Sequence, residues 1–329
     1  MIGYYVHHVG RGHLHRATAL ASLLDHPVTG LSSLPRPDGW EGEWIELERD
    51  DTTGPGADPT AHGALHWVPE RDPGLLDRMA AISQWCAKAR PDLMVSDVSV
   101  EVALLARLHG IRVLSVVLPG HRADAAHRLG FAASAALVSF WPESAAGMVS
   151  GIDTAAMRRW HRVGAMSRYP VSDTPAPGAR RVVVLNGSGG DAVGAAEIEA
   201  AREQTPDWDW QVLGPGGSWV ADPYPVLLGA DVIVTHAGQN ALAEVASARR
   251  PGVVVPGDRP HLEQRTTAQV LADGPWPVLV ESQFPTTGWR ERLETAAALD
   301  GTAWSSWCDG QAATRFAAVV DELVTGDRG

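Results

Sequence analysis

The residues with chemical potential fall into a few short segments. The first, Gly10-Arg11-Gly12-His13-Leu14-His15-Arg16, follows an apolar run that begins at Ile2. Two glycines allow a sharp turn and a close approach of backbone to ligand, and the helix start behind them favours an anion or a polarised oxygen. A dinucleotide fingerprint needs a third glycine where His15 stands, which argues against NAD or FAD, and no GxxxxGK[ST] phosphate loop occurs. His13 is then an imidazole at the carboxyl edge of a parallel sheet, where ligands bind in such folds. Asp97 follows another apolar run, residues 93–96, and belongs at the same edge. A His–Asp pair is how a general base is oriented and its protonated form stabilised. The plainer readings are a His13 that packs the helix start and an Asp97 that caps one. His7, His8, His13 and His15 together invite a metal reading. His7 and His8 would be strand neighbours facing opposite ways, so at most one joins a shared site, and no metal is expected.

The second half holds the complementary groups. Asn186-Gly187-Ser188-Gly189-Gly190-Asp191 follows a β-branched run and offers open amides and a hydroxyl, which suit a diphosphate; the alternative is a flexible turn. A stronger pattern runs from Asp231 to Glu244: a strand ends near Val234, and a helix begins near Gly238, Gln239 and Asn240. His236, Gly238 and the amides after it would face whatever lies beyond the strand, and the helix dipole makes that place attractive to a pyrophosphate. Glu244, one to two turns into the helix, can accept both hydrogen bonds of a ribose diol, or it is a solvated early-helix acid. Glu263 and Gln264, adjacent acid and amide after the loop that begins at Gly257, can read sugar hydroxyls; a polar helix start is the ordinary alternative.

Positioning these residues requires an alternating α/β chain. Apolar runs at 2–9, 93–96, 113–118 and 137–140 read as buried parallel strands, with helices at 17–24 and 100–109. The pattern restarts after Tyr169: strands at 181–185, 210–213, 231–234 and 253–256, helices at 195–202 and 241–248, and a last helix at 311–324. Residues 170–179, rich in proline and small residues, make a linker. The expected fold is α/β, two Rossmann-like doubly wound domains facing a cleft. The expected division is 1–165 for an acceptor-binding domain and 166–310 for a donor-binding one; the last helix, about 311–329, can dock on either domain, packing back on the first being one option.

The chain has 329 residues, enough for two domains. Its formal net charge of -12 argues against a nucleic-acid partner or an anionic membrane surface. The sequence also carries no long apolar window for an integral membrane segment and no secretion-signal pattern at its start. Two isolated cysteines, Cys86 and Cys308, fit a reducing cytoplasm, the expected location. No motif specifies an oligomeric state. The chain has 13 tryptophans, and for Trp40, Trp44, Trp67 and Trp85 of the first half packing is the ordinary reading and stacking on an acceptor the alternative.

Taken together, Thr235-His-Ala-Gly-Gln-Asn-Ala-Leu-Ala-Glu244, the proline-ended run before Gly257 and Glu263-Gln264 resemble the donor half of GT-B glycosyltransferases. The nearest resemblance is to the MurG-like N-acetylglucosaminyltransferases and the bacterial natural-product glycosyltransferases. Gly10 to His13 is similar to their glycine-rich acceptor loop, and Val163 to Arg168 resembles the segment leading into their linker. The resemblance implies an inverting, metal-independent transfer of a hexosyl or N-acetylhexosaminyl group from a nucleoside-diphosphate sugar, with a UDP-sugar as the expected donor. No other cofactor is implied; the partners are small-molecule donor and acceptor. It makes His13 the base and Asp97 its partner. It sets Asn186, Ser188, Gly189, His236, Gly238, Gln239 and Asn240 around the diphosphate, Glu244 on the ribose, Glu263 and Gln264 on the sugar, and backbone groups of Trp219-Val220 on the base. Natural-product relatives usually carry Asp where Glu263 stands. Gly10 to Arg16 also resembles the start of sugar-nucleotide hydrolases of related fold, so hydrolysis is the main rival, and a non-catalytic sugar-nucleotide binder is a third reading.

Overall fold

The computed structural model describes residues 1–52, 54–187 and 193–326. The first half contributes β1 (Ile2–Val6), β2 (Val28–Ser32), β3 (Trp44–Glu46), β4 (Leu93–Asp97), β5 (Arg112–Val116), β6 (Gly120–His121), β7 (Ala136–Ser139), β8 (Val149–Ser150) and β9 (Trp160–Arg162). Seven of them form a parallel sheet in the order β3-β2-β1-β4-β5-β7-β9, while β6 and β8 pair separately. Buried on both faces, β1 and the first three residues of β4 show no polar alternation, and β4 ends in the buried polar pair Ser96-Asp97. One face of the sheet packs on the helices Pro73–Ala89 and Val100–Leu108 through Ile82, Trp85, Val102 and Ala106.

The second half builds a parallel sheet from β10 (Arg181–Leu185), β11 (Asp209–Leu213), β12 (Val232–Thr235), β13 (Gly252–Val254) and β14 (Val278–Val280), in the order β11-β10-β12-β13-β14. The order reverses between β1 and β4 in one sheet and between β10 and β12 in the other. Each reversal opens a crevice at the carboxyl ends of the strands, the place where doubly wound sheets bind ligands. An apolar cluster spans both halves, with Leu137, Trp141 and Ala145 joined to Ala243, Val245 and Leu271.

The last helix, Ala312–Thr325, crosses back to the first sheet, where Phe316, Val319 and Val320 pack with Ile2, Tyr4 and Phe140. Its end is held by Arg112, which donates to the carbonyl of Leu323 at 2.6 Å. Among the described residues no helix is long and apolar enough to cross a membrane.

Three sequence expectations need correction. The first strand ends at Val6 and not at Val9, because a turn at residues 8–11, where Gly10 holds φ +82°, breaks the ladder. The helix after it is Gly12–Ala21, earlier than 17–24, so His13 lies in its first turn. His7 and His8 therefore lie beyond the strand, and their rings stack at 5.0 Å instead of facing opposite ways. Trp40 and Trp85 are buried in core clusters, which favours the packing reading of those residues.

Phe316 is fully buried, with its ring centroid 6.5 Å from Tyr4 and 6.0 Å from Phe140. Phe316→Ala is expected to cost about 3–5 kcal/mol of unfolding free energy in denaturant titration. Loss below about 1 kcal/mol would show that the helix does not support the first sheet.

Candidate functional site

Both crevices open into one cavity of about 960 Å³ between the halves, lined by His7, His13, Asn186, His236, Glu244 and Glu263 among others. Trp219, Val220, Gly238, Gln239, Asn240 and Gln264 share the same lining. Asp97 sits behind His13 at the end of β4. The expected site residues that fall in the described chain are thus brought together; Ser188 and Gly189 lie outside the described residues.

On the first-half side, Asp97 is completely buried, and its Oδ1 lies 3.0 Å from His13 Nδ1. The same oxygen accepts from Arg16 Nη2 at 2.7 Å, one helical turn beyond His13. Burial alone would raise the Asp97 carboxyl; the Arg16 and His13 charges overcome it and bring the pKa down to about 2. Asp97 is therefore an anion. Arg16 Nη2 also lies 3.1 Å from His13 Nδ1, so the tautomer has to be decided. An unprotonated Nδ1 would face the carboxylate lone pair to lone pair at 3.0 Å. Nδ1 accordingly carries the proton and donates to Asp97, and Nε2 is left with its lone pair, which is the tautomer a general base requires.

His7 adds a second imidazole to this wall. Its Nδ1 accepts from the Val9 amide at 3.1 Å, so Nε2 is its donor, and burial lowers its pKa to about 3. Sequence reasoning missed Arg16. The available signal was its spacing: a residue three after His13 on a helix shares its face, and a buried Asp97 demands a cation.

On the second-half side, the helix Gln239–Ser247 begins at Gly238 with no side-chain cap, so the amides of its first turn have no partner within the helix. The Gly238 amide is committed differently from expectation: it donates to His236 Nδ1 at 3.0 Å. Nδ1 being an acceptor, His236 Nε2 carries the proton. Gly187 and Gly238 bracket this ring; a Cβ on Gly187 would lie 2.2 Å from Nε2, and one on Gly238 would lie 2.4 Å from Cε1. The imidazole thus points its N–H toward the start of the loop after β10. Burial, followed by the Arg259 charge, lowers its pKa to about 4, which keeps it neutral near pH 7.

Glu244 is nearly buried, which removes the solvated-acid alternative. It accepts from Arg168 Nε at 2.9 Å. Burial raises its pKa against the pull of Arg168. Arg168 also lies over Tyr169, whose ring stacks on Tyr224 at 4.5 Å, so the linker entrance is tied to the carboxylate in the cleft. Gln264 is buried too. Its Oε1 accepts from the Gly257 amide at 2.8 Å and its Nε2 lies 3.2 Å from His236 Nδ1, so its amide orients neighbours more than it offers itself to a ligand. Glu263 stays partly open, with burial raising its pKa against Arg122 and His13. Trp219 projects its ring into solvent at 78% exposure.

Two glycines let the halves approach closely. A Cβ on Gly12 would lie 2.1 Å from Asn240 Nδ2, and one on Gly120 would lie 2.2 Å from the His261 carbonyl oxygen. Gly120 also holds φ +105°, which only glycine tolerates well.

No protein-family model matches the chain, and no curated protein matches it in sequence. Solved structures do match in fold. The glycotransferase of kitacinnamycin is 17% identical with a TM-score of 0.65, covering 98% of both chains. MurG of Acinetobacter baumannii is 15% identical with a TM-score of 0.63, covering 98% of this chain and 99% of its own. A putative UDP-N-acetylglucosamine 2-epimerase from Listeria monocytogenes is 13% identical with a TM-score of 0.58, covering 100% and 97%.

His236 gives a pH test. A histidine whose folded pKa is depressed contributes stability in full above its unfolded pKa and loses it as pH falls toward the folded one. Between about pH 6.5 and 4, the stability advantage of wild type over His236→Gln should shrink, by about 3 kcal/mol at most. Denaturant titrations across that range measure it; a constant gap would contradict the assignment of a buried neutral imidazole. In all its described parts, the chain has the two-domain GT-B fold of the glycosyltransferases it matches.

Proposed function

We propose that this protein is an inverting glycosyltransferase that moves a hexosyl or N-acetylhexosaminyl group from a nucleoside-diphosphate sugar, with UDP-sugar as the expected donor. The carrying observation is the opposition across one cavity of a base-competent His13–Asp97 pair and an uncapped helix start flanked by the His236 N–H. The first half, 1–165 with the last helix, would bind the acceptor, and 166–310 the donor.

In this reading His13 Nε2 takes the proton of an acceptor hydroxyl. The oxygen forms its bond to the anomeric carbon from one face as the bond to the diphosphate oxygen breaks on the other. The imidazolium that results is stabilised by Asp97. The departing diphosphate gathers charge where the amides of Gln239 and Asn240 and the His236 Nε2–H converge, so no metal is needed to stabilise it. Asn186 would join the diphosphate site; Ser188 and Gly189, expected there too, lie outside the described residues. Glu244 would receive the ribose hydroxyls, exchanging part of its Arg168 contact. Glu263 would read the sugar, with Gln264 fixing His236 and the Gly257 turn beside it. Backbone groups of Trp219 and Val220 would hold the base.

Hydrolysis is the second reading, because Gly10 to Arg16 also resembles the start of sugar-nucleotide hydrolases of related fold. A panel of sugar nucleotides with and without alcohol acceptors separates the readings. Diphosphate release that depends on the acceptor supports transfer, and release without one supports hydrolysis. An epimerised sugar nucleotide would point to the chemistry named for the Listeria relative in fold, and binding without turnover to a silent binder. For the transferase, His13→Ala should lower kcat by about 10²–10⁴-fold with donor affinity unchanged, since the base acts on the acceptor side. Unchanged turnover would remove His13 from the mechanism.

A further inference from the structure

At the rim of the cavity His66, Asp124, His127 and His261 gather their ligand atoms within 4.8 Å of one another. They come from three places in the chain. His66 lies in the loop before the helix Pro73–Ala89, and its amide is held by Glu101 Oε1 at 2.8 Å. Asp124 caps the helix Ala125–Ala133, and His127 stands in that helix's first turn. His261 comes from the opposite half, in the left-handed region at φ 58° and followed by Leu262 at φ 59°. Two successive non-glycine residues there are costly, and such strain gathers at functional positions.

The two separations measured to Asp124, one to each of its oxygens, bracket the ligand spacing around a small tetrahedral ion. Ligands about 2.0–2.1 Å from Zn²⁺ lie about 3.3 Å from one another. His66 Nε2 is 3.1 Å from Asp124 Oδ1, and His261 Nδ1 is 3.9 Å from Asp124 Oδ2. His127 takes a different part. Arg122 Nη1 donates to its Nε2 at 3.2 Å, so Nδ1 bears the proton and donates to Asp124 Oδ2 at 2.6 Å. That is the outer contact that steadies a metal-binding carboxylate. The Arg122 charge is turned toward Glu263, 3.9 Å away. The other group of candidate ligands among the described residues, His8 with Asp50 and Asp51, differs in this respect, because Arg78 and Arg49 already pair with its two carboxylates.

We propose that His66, Asp124 and His261 form a Zn²⁺ site, with His127 as the outer partner of Asp124 and one position open to the cavity. Two imidazoles and one carboxylate with an open fourth place suit Zn²⁺ or its substitute Co²⁺, and not Mg²⁺ or Ca²⁺, which prefer oxygen. Because His261 belongs to the second half and the other ligands to the first, the ion ties the halves together beside Glu263. This site rests on the ligand geometry alone and is independent of the reading of sugar transfer.

The test uses untagged, chelator-treated full-length protein with Zn²⁺ or Co²⁺ as the only added probe. Wild type should retain about one equivalent of Zn²⁺ after dialysis and should develop the visible bands of low-symmetry Co²⁺. His66→Ala and His261→Ala should each weaken binding by at least about 100-fold, and His127→Gln by about 10–100-fold, as loss of an outer partner does. His62→Ala, an exposed histidine elsewhere, should bind as wild type does. Sub-stoichiometric binding by wild type, or undiminished binding by both His66→Ala and His261→Ala, overturns the proposal. The wild-type measurement stands even where a variant fails to fold.

Discussion

A single buried carboxylate organises the first half of this protein. Asp97 ends β4 at the crevice where the strand order reverses, and no part of it reaches solvent. Leaving an unpaired charge there would cost several kcal/mol, so the fold has to deliver a cation and a donor to it. The helix Gly12–Ala21 delivers both from one face, His13 and Arg16. Arg16 lies over Phe140, 4.6 Å from the ring centroid, and Phe140 packs on Phe316 of the last helix. The ion pair that sets the imidazole is thus clamped between the first helix and the last, and the end of the chain supports chemistry near its beginning.

The second half works by placing neutral donors instead of charges. His236 is held between two glycines and kept neutral by burial, which gives a fixed N–H at the crevice of β10 and β12 without a competing positive charge to desolvate. Glu244 and Arg168 form a partly buried ion pair on this side and tie the cleft to the tyrosine stack at the linker. The two walls are complementary. One holds a lone pair in place, the other a set of hydrogen-bond donors, and Asn240 packed against Gly12 fixes their distance.

Much of this was legible in the sequence, and the parts that were not share a cause. The apolar runs of β1, β4 and β10, with glycine-rich turns after β1 and β10, announced the doubly wound halves, because buried parallel strands need no alternation. The three-residue strands β3 and β9 and β2, interrupted by Gly30, carried too short a pattern to register. The helix Pro73–Ala89 was overlooked despite its Asp72 cap and Pro73 start, a signal that was there to use. His7 and His8 were misread because strand alternation was extended past Val6, where the ladder had already ended. The pairs Arg168–Glu244 and His261–Asp124 join residues far apart in the chain, and no local spacing encodes such contacts.

The central claim is that Asp97 and not Arg16 decides the His13 tautomer, leaving Nε2 free at the cavity. Histidine side-chain ¹⁵N–¹H correlation spectra report tautomers directly, and His13→Gln assigns the His13 signals by their disappearance. At pH 7.5 to 8, the account predicts a protonated Nδ1 and an unprotonated Nε2 for His13, and loss of that preference in Asp97→Asn. A protonated Nε2 in the wild-type protein, with Nδ1 accepting from Arg16, would contradict it.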